Sequence, residues 1–177
     1  MIESPTVPPI RQPVPLPSPA PSPPAPLTKP ASPIIPVAGV RREQLRDTFD
    51  EARSEGRVHE AIDIMAARGT PVLAAADGTV VKLFNSEKGG ITIYQLSTDQ
   101  KVVYYYAHLD SYADGLTEGK RVRQGEVIGA VGDTGNAGPG NYHLHFAIWL
   151  ISDPKHYWTG VNLNPYPLLR GASTIDR

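Results

Sequence analysis

The run His143-Leu144-His145-Phe146-Ala147-Ile148-Trp149-Leu150 reads as a β-strand. Successive side chains on a strand point to opposite faces. His143 and His145 therefore share one side, and Leu144, Phe146 and Ile148 share the other. The two histidine Cα atoms would lie about 6.6 Å apart, close enough for both imidazoles to serve one site. On a helix, residues two apart diverge, and the pair could not converge. Outward from this strand, short apolar runs recur at 62–65, 72–75, 79–84, 91–96, 102–108 and 127–131, with the last run extending over 143–151. Asp77-Gly78, Gly89-Gly90, Asp114-Gly115, Gly119, Gly125 and the glycine-rich run 132–140 punctuate them. Many short strands separated by turn residues predict an all-β domain, a mainly antiparallel β-sandwich. One short amphipathic helix is expected over 41–56, where Leu45, Phe49 and Ala52 stand at i, i+4 and i+7 and Gly56 could end it.

Proline divides the 177-residue chain: 14 of its 19 prolines and none of its 16 glycines fall in residues 1–36. Proline has no N–H to give to a helix or a sheet ladder. The segment is expected to be a disordered, stiff polyproline-II linker, with a reach on the order of 100 Å. A tail without a role and a PxxP ligand for an SH3 or WW domain are the other readings. The domain is then expected over 37–169, with 170–177 a C-terminal tail.

Composition excludes several classes. Seventeen Lys and Arg against 18 Asp and Glu give a net charge of −1, which argues against a nucleic-acid partner held by charge. No cysteine is present, so disulfides, thiolate zinc sites and thiol nucleophiles are out. No run of 18 apolar residues exists, so no membrane span is expected. Met1-Ile-Glu-Ser-Pro5 lacks the basic start and apolar stretch of a signal peptide.

Five histidines carry the chemistry: His59, His108, His143, His145 and His156. In His59-Glu-Ala-Ile-Asp63, an imidazole and a carboxylate offer a donor pair suited to zinc. A straight strand would hold them about 13 Å apart, so the chain must bend near Ala61 or turn helical. The helical reading would imitate HExxH with Glu60 as base, but Asp63 stands where the second histidine belongs. In Tyr104-Tyr-Tyr106-Ala-His108, strand alternation puts Tyr104, Tyr106 and His108 on one face. His156 falls in loop-like sequence and is read as a bystander. Three His-bearing segments and one carboxylate suit a catalytic zinc with one corner open.

At these residues the chain resembles the LytM/lysostaphin-type zinc endopeptidases of peptidoglycan. The resemblance rests on His59-x-x-x-Asp63, Gly69-Thr-Pro-Val72 with Gly78-Thr-Val80, and Tyr106-Ala-His108. It continues through Gly119-x-x-Val122, Gly125-x-x-Ile128-Gly129-x-x-Gly132-Asp-Thr-Gly135 and His143-Leu-His145. It implies an antiparallel β-sandwich shared with some sugar-phosphotransferase proteins, and zinc held by His59, Asp63 and His145. His143 would be general base to the attacking water. His108 would steady that water and the charge developing on the attacked carbonyl. The implied substrate is a peptidoglycan peptide, crosslink or stem, cut by a monomer in the cell envelope or periplasm. Ala61 departs from the pattern, which has glycine there, and is tolerable only if its φ stays negative.

Three other readings are weaker. A LytM-like regulator that activates a cell-wall amidase would have lost site residues, and here all five positions are filled. A phosphohistidine carrier would use His143 or His145 but gives no reason for His59 and Asp63. A biotinyl or lipoyl carrier would need a hairpin Met-Lys, which Ile64-Met65-Ala66 lacks.

Overall fold

The computed structural model describes residues 32–52, 56 and 58–171. Nine strands follow in chain order: β1 (Ile62–Met65), β2 (Pro71–Leu73), β3 (Gly78–Ser86), β4 (Gly90–Ser97), β5 (Val102–Tyr112), β6 (Arg121–Val122), β7 (Val127–Val131), β8 (His143–Leu150) and β9 (Val161–Leu163). A single turn of α-helix, α1 (Pro165–Leu169), closes the described chain. Every pairing is antiparallel, in the order β1-β8-β5-β4-β3-β6, with β9 added to β8. The predicted all-β class is what forms. The short strands β6 and β9 and the helix α1 were not foreseen.

A smaller layer lies over this sheet. Past His108, β5 changes partner: Leu109, Ser111 and Tyr112 pair with β7, and β7 pairs with β2. A Cβ placed on Gly129 of β7 would come within 3.7 Å of Ile93 in β4, so the two layers touch through their apolar faces. Between them Val72, Ile128 and Val131 pack with Val80, Ile93, Tyr106, Leu144, Phe146 and Ile148 in one core. Leu144, Phe146 and Ile148 are all fully buried, as the alternation in β8 predicts. The core also holds a polar knot: the Tyr106 hydroxyl donates to Gln95 Oε1 (2.6 Å) and accepts from the Ala75 amide (2.9 Å). Gln95 Nε2 donates to the Ala76 carbonyl (2.6 Å). Both side chains are fully buried, and the bonds leave their polar atoms satisfied.

Three expectations are corrected. Among the described residues of 41–56 no α-helix forms, and Arg42–Gln44 is a 3-10 turn. The backbone that a helix would use is taken elsewhere: the Glu51 carbonyl accepts from His59 N (3.0 Å) and the Phe49 carbonyl from Glu60 N (2.9 Å). Of the apolar triplet only Leu45 is buried. The packed body also starts before residue 37. Ile34 N donates to the Ala75 carbonyl (2.9 Å), the Pro36 carbonyl accepts from Leu73 N (3.0 Å), and Gln124 Nε2 donates to the Ser32 carbonyl (2.9 Å). Residues 1–31 and 172–177 of the expected linker and tail lie outside the described residues.

The third correction concerns β5. Tyr104, Tyr106 and Leu109 point into the core, whereas His108 joins Tyr105 and Ala107 on the opposite face. Opposite β4, three steps of β5 (Tyr106 to Leu109) match two of β4 (Ile93 to Ile91). That extra residue is a β-bulge, and it shifts the side-chain alternation by one. His108 itself has φ 61, and its N–H donates to the Gly89 carbonyl (2.8 Å).

Candidate metal centre

The outer face of β8, away from the core, carries His143 and His145 into a cavity of about 400 Å3. Asp63 reaches it from β1, directly across the ladder from His145. His59 arrives from the segment before β1, where the bend falls on Glu60 (φ 55) and not on Ala61. Ala61 is fully buried and is not among the residues with positive φ, so alanine fits there without strain. A left-handed Glu60 shortens the path between His59 and Asp63, which a straight strand would hold apart. The helical HExxH reading fails with it: Glu60 is exposed and lies outside this cavity.

Three donor atoms converge. His59 Nε2 lies 2.9 Å from His145 Nδ1 and 3.0 Å from Asp63 Oδ1, and His145 Nδ1 lies 3.1 Å from the same oxygen. The Thr48 carbonyl accepts from His59 Nδ1 at 2.9 Å, so that nitrogen holds the ring proton and Nε2 presents a lone pair. Thr48 also braces the carboxylate-bearing residue, its hydroxyl accepting from Asp63 N at 3.1 Å. A ring proton on His145 can serve one edge of this triangle, whereas a cation at its centre serves all three corners. Donors bonded to zinc at about 2.0–2.1 Å stand about 3.3 Å apart in a tetrahedron, near the separations seen. Two imidazoles and one carboxylate are also a donor set that suits zinc. Among the described residues, His59, Asp63 and His145 are the cluster able to hold a metal ion.

The remaining two site histidines stand beside the triangle. His143 Nδ1 donates to the Asn141 carbonyl (2.8 Å), and its Nε2 lies 3.7 Å from Asp63 Oδ1. His108 Nδ1 donates to the Thr134 carbonyl (2.8 Å). With those protons fixed, each ring turns an Nε2 lone pair toward the cavity. The His108 ring lies 4.9 Å from that of His143 and 5.6 Å from that of His145. Burial pushes His108 down to about 4, against the pull of the Thr134 carbonyl, so it stays neutral. Burial also lowers His145. For Asp63, burial works upward, yet hydrogen bonds to His145 and His59 prevail and hold it far below the usual carboxylate range. His156 is exposed and bonded to Asp153, away from the cavity, as its loop-like sequence suggested.

The residues that the sequence did not point to are those acting through the backbone. Thr48, Thr134 and Asn141 orient imidazoles through carbonyls, which any residue type could supply. Thr134 has a further tie: its hydroxyl donates to the Leu109 carbonyl (2.7 Å) and accepts from Ile91 N (3.0 Å). Next to it, a Cβ on Gly135 would collide with the Gly90 amide and the Lys88 carbonyl, so only glycine lets these loops meet. This gives the Gly-Asp-Thr-Gly135 text a structural job. Among the described residues, Lys88 is the one lysine or arginine lining the cavity.

An all-β fold with a His-Asp-His cluster and two further histidines suits a metal-dependent hydrolase that needs no side-chain nucleophile. The comparisons specify it further: the family model described as peptidase family M23 matches residues 57–165, and the chain belongs to that family. It is 34% identical over 132 residues to an L-Ala–D-Glu endopeptidase of Bacillus subtilis, covering 71% of this chain and 39% of that protein. It is 41% identical over 100 residues to the DD-carboxypeptidase/endopeptidase Mpg of Neisseria meningitidis, covering 55% of this chain and 21% of that protein. The catalytic domain of lysostaphin from Staphylococcus simulans superposes with a TM-score of 0.61 at 26% identity, covering 72% of this chain and 92% of that one. The chain thus spans well under half the length of these two sequence relatives.

Proposed function

We propose that the protein is a zinc-dependent endopeptidase that hydrolyses crosslinks or stem peptides of bacterial peptidoglycan in the cell envelope. The observation that carries this reading is the convergence of His59 Nε2, Asp63 Oδ1 and His145 Nδ1 within 3.1 Å of one another. These three side chains would hold the ion. When bound, zinc supplies a Lewis acid that polarises a peptide carbonyl and acidifies a water.

The chain's own groups supply the rest. His143, its tautomer set by Asn141, accepts a proton at Nε2 from the attacking water and returns it to the leaving amine. His108, kept neutral by burial and with its Nδ1 proton held by the Thr134 carbonyl, accepts a hydrogen bond from that water at Nε2 and so orients it. No residue is acylated, which agrees with a cysteine-free chain. The names of the relatives support a cell-wall peptide as substrate. Among the described residues no helix is long and apolar enough to cross a membrane.

The test is digestion of purified sacculi by the zinc-loaded protein, with metal content measured and products read by mass spectrometry. Soluble peptides with one new amine per cut, released only with metal, are expected. Stoichiometric metal without any released peptide would favour an amidase-activating role instead.

A further inference from the structure

A second cavity, of about 230 Å3, opens beside the first and shares His59, Tyr105 and His145 with it. Its own walls are Trp149 and Trp158, and its rim carries Glu60 and Asn162. Trp149 of β8 stacks on Tyr105 of β5, with centroids 5.3 Å apart and planes 19° apart. Trp158 is 56% exposed. An indole left in water at a cavity edge forgoes burial that a ligand could restore.

The loop that presents Trp158 is held in place. Asp153 accepts from Lys155 N (2.9 Å), and the Asp153 and His156 carbonyls accept from His156 N (3.0 Å) and Thr159 N (2.9 Å). Tyr157 packs inward on Tyr94, with centroids 5.6 Å apart, and so anchors the loop to the sheet. A Cβ on Gly160 would strike the Leu150 carbonyl, so glycine there lets the loop lie against the end of β8. The chain has only two tryptophans, and both line this cavity.

We infer that this cavity is a saccharide subsite, in which Trp158 and Trp149 receive a pyranose ring of the glycan that carries the scissile peptide. The inference rests on the endopeptidase reading, because the subsite continues the cavity in which the peptide would be cut. The chemistry of the lining separates a sugar from a peptide side chain. The apolar surface is almost entirely aromatic, with Ala147 the sole aliphatic residue among the described ones, whereas a pocket for an aliphatic side chain calls for leucine, valine or isoleucine. Pyranose rings present apolar C–H faces to aromatic rings and hydroxyls at their edges, and Glu60 and Asn162 sit where hydroxyls need partners. Charge points the same way. Glu60 at this end repels the carboxylates of a stem peptide, and Lys88 in the first cavity attracts them. The groove therefore places the acidic peptide toward Lys88 and the neutral sugar toward Trp158.

Intrinsic tryptophan fluorescence reads the subsite directly. The zinc-loaded full chain carrying His143→Ala, to suppress turnover, is titrated with a disaccharide-tetrapeptide and with the same tetrapeptide freed of its sugars. The sugar-bearing ligand is expected to change tryptophan emission and to bind at least about fivefold more tightly. Adding Trp158→Ala, an exposed position, should abolish that advantage and leave the affinity for the free peptide unchanged. Equal affinities, unchanged emission, or an equal loss for both ligands with Trp158→Ala would overturn the subsite. The two readings fail separately. Sugar-dependent binding by a chain that never digests sacculi sinks the hydrolase, and digestion with no sugar preference sinks the subsite.

Discussion

His145 lies directly across the β1–β8 ladder from Asp63, and its Nδ1 stands 3.1 Å from that carboxylate's Oδ1. Register alone thus brings two of the three metal donors together, and the bend at Glu60 adds His59 as the third. Asp63 is the only anion of the cluster. Asp63→Asn keeps the shape and removes the charge that balances a divalent ion. Zinc affinity, measured by competition with a chromophoric chelator, should fall more than about 100-fold.

His145 and His143 stand two residues apart on one strand and should fail in different ways. His145→Ala removes a donor, so both bound metal and turnover should vanish. His143→Ala leaves the triangle intact, so metal content by elemental analysis should hold while the rate drops by about 10²–10⁴. An empty site in His143→Ala would exchange the two roles.

The contrast between these histidines and His108 shows what the sequence made legible. His143 and His145 could be placed on one face because β8 is regular and a period of two suffices. His108 could not, because the bulge opposite Ile91 and Ile93 shifts the alternation, and no residue type in Tyr106-Ala-His108 signals it. Likewise, the need for a bend between His59 and Asp63 was plain, but its location was not. Glutamate is an unusual residue to hold φ 55, and its N–H there donates to the Phe49 carbonyl. The same bonds explain why the described part of 41–56 is not α-helical: helical periodicity is present, but the Phe49 and Glu51 carbonyls are committed to distant amides. Trp158 gave no pattern at all, since a loop aromatic acquires meaning only from what lies beside it.

Burial of neutral His108 has a consequence for acid stability. In the unfolded chain it takes a proton near pH 6.5, and in the folded protein only near 4. Between those values the unfolded state binds more protons, so stability falls as pH decreases from 6.5 to 4 and is unaffected above. The lowered His145 acts in the same direction. Asp63, lowered in the fold, stabilises fully above the unfolded carboxylate range near 3.9 and begins to lose that contribution only as pH falls below it. For metal-free protein, the His108 effect should be on the order of 3 kcal/mol across the window. Denaturant unfolding at stepped pH should show it, and His108→Gln should flatten the slope.

Tyr106 tests the core without touching the site. Tyr106→Phe keeps the ring packed on Phe146, with centroids 5.3 Å apart. It deprives Gln95 Oε1 and the Ala75 amide of their shared partner. Two buried polar groups left unmet should cost about 1–3 kcal/mol. Calorimetry should record a melting temperature several degrees lower, with zinc content unchanged.

The LytM/lysostaphin-type pattern that the sequence resembles would put glycine at position 61, and Ala61 sits there without strain because the left-handed residue is its neighbour Glu60. Installing the family residue should therefore bring no benefit. Ala61→Gly removes a fully buried methyl group and adds backbone freedom to the unfolded chain. We expect a loss of about 1 kcal/mol or somewhat more in urea unfolding. Zinc affinity and turnover should stay at the parent level, because His59 and Asp63 already converge. A gain in either would mean that Ala61 holds the two donors apart, and that the bend at Glu60 is a strained substitute for one centred on residue 61.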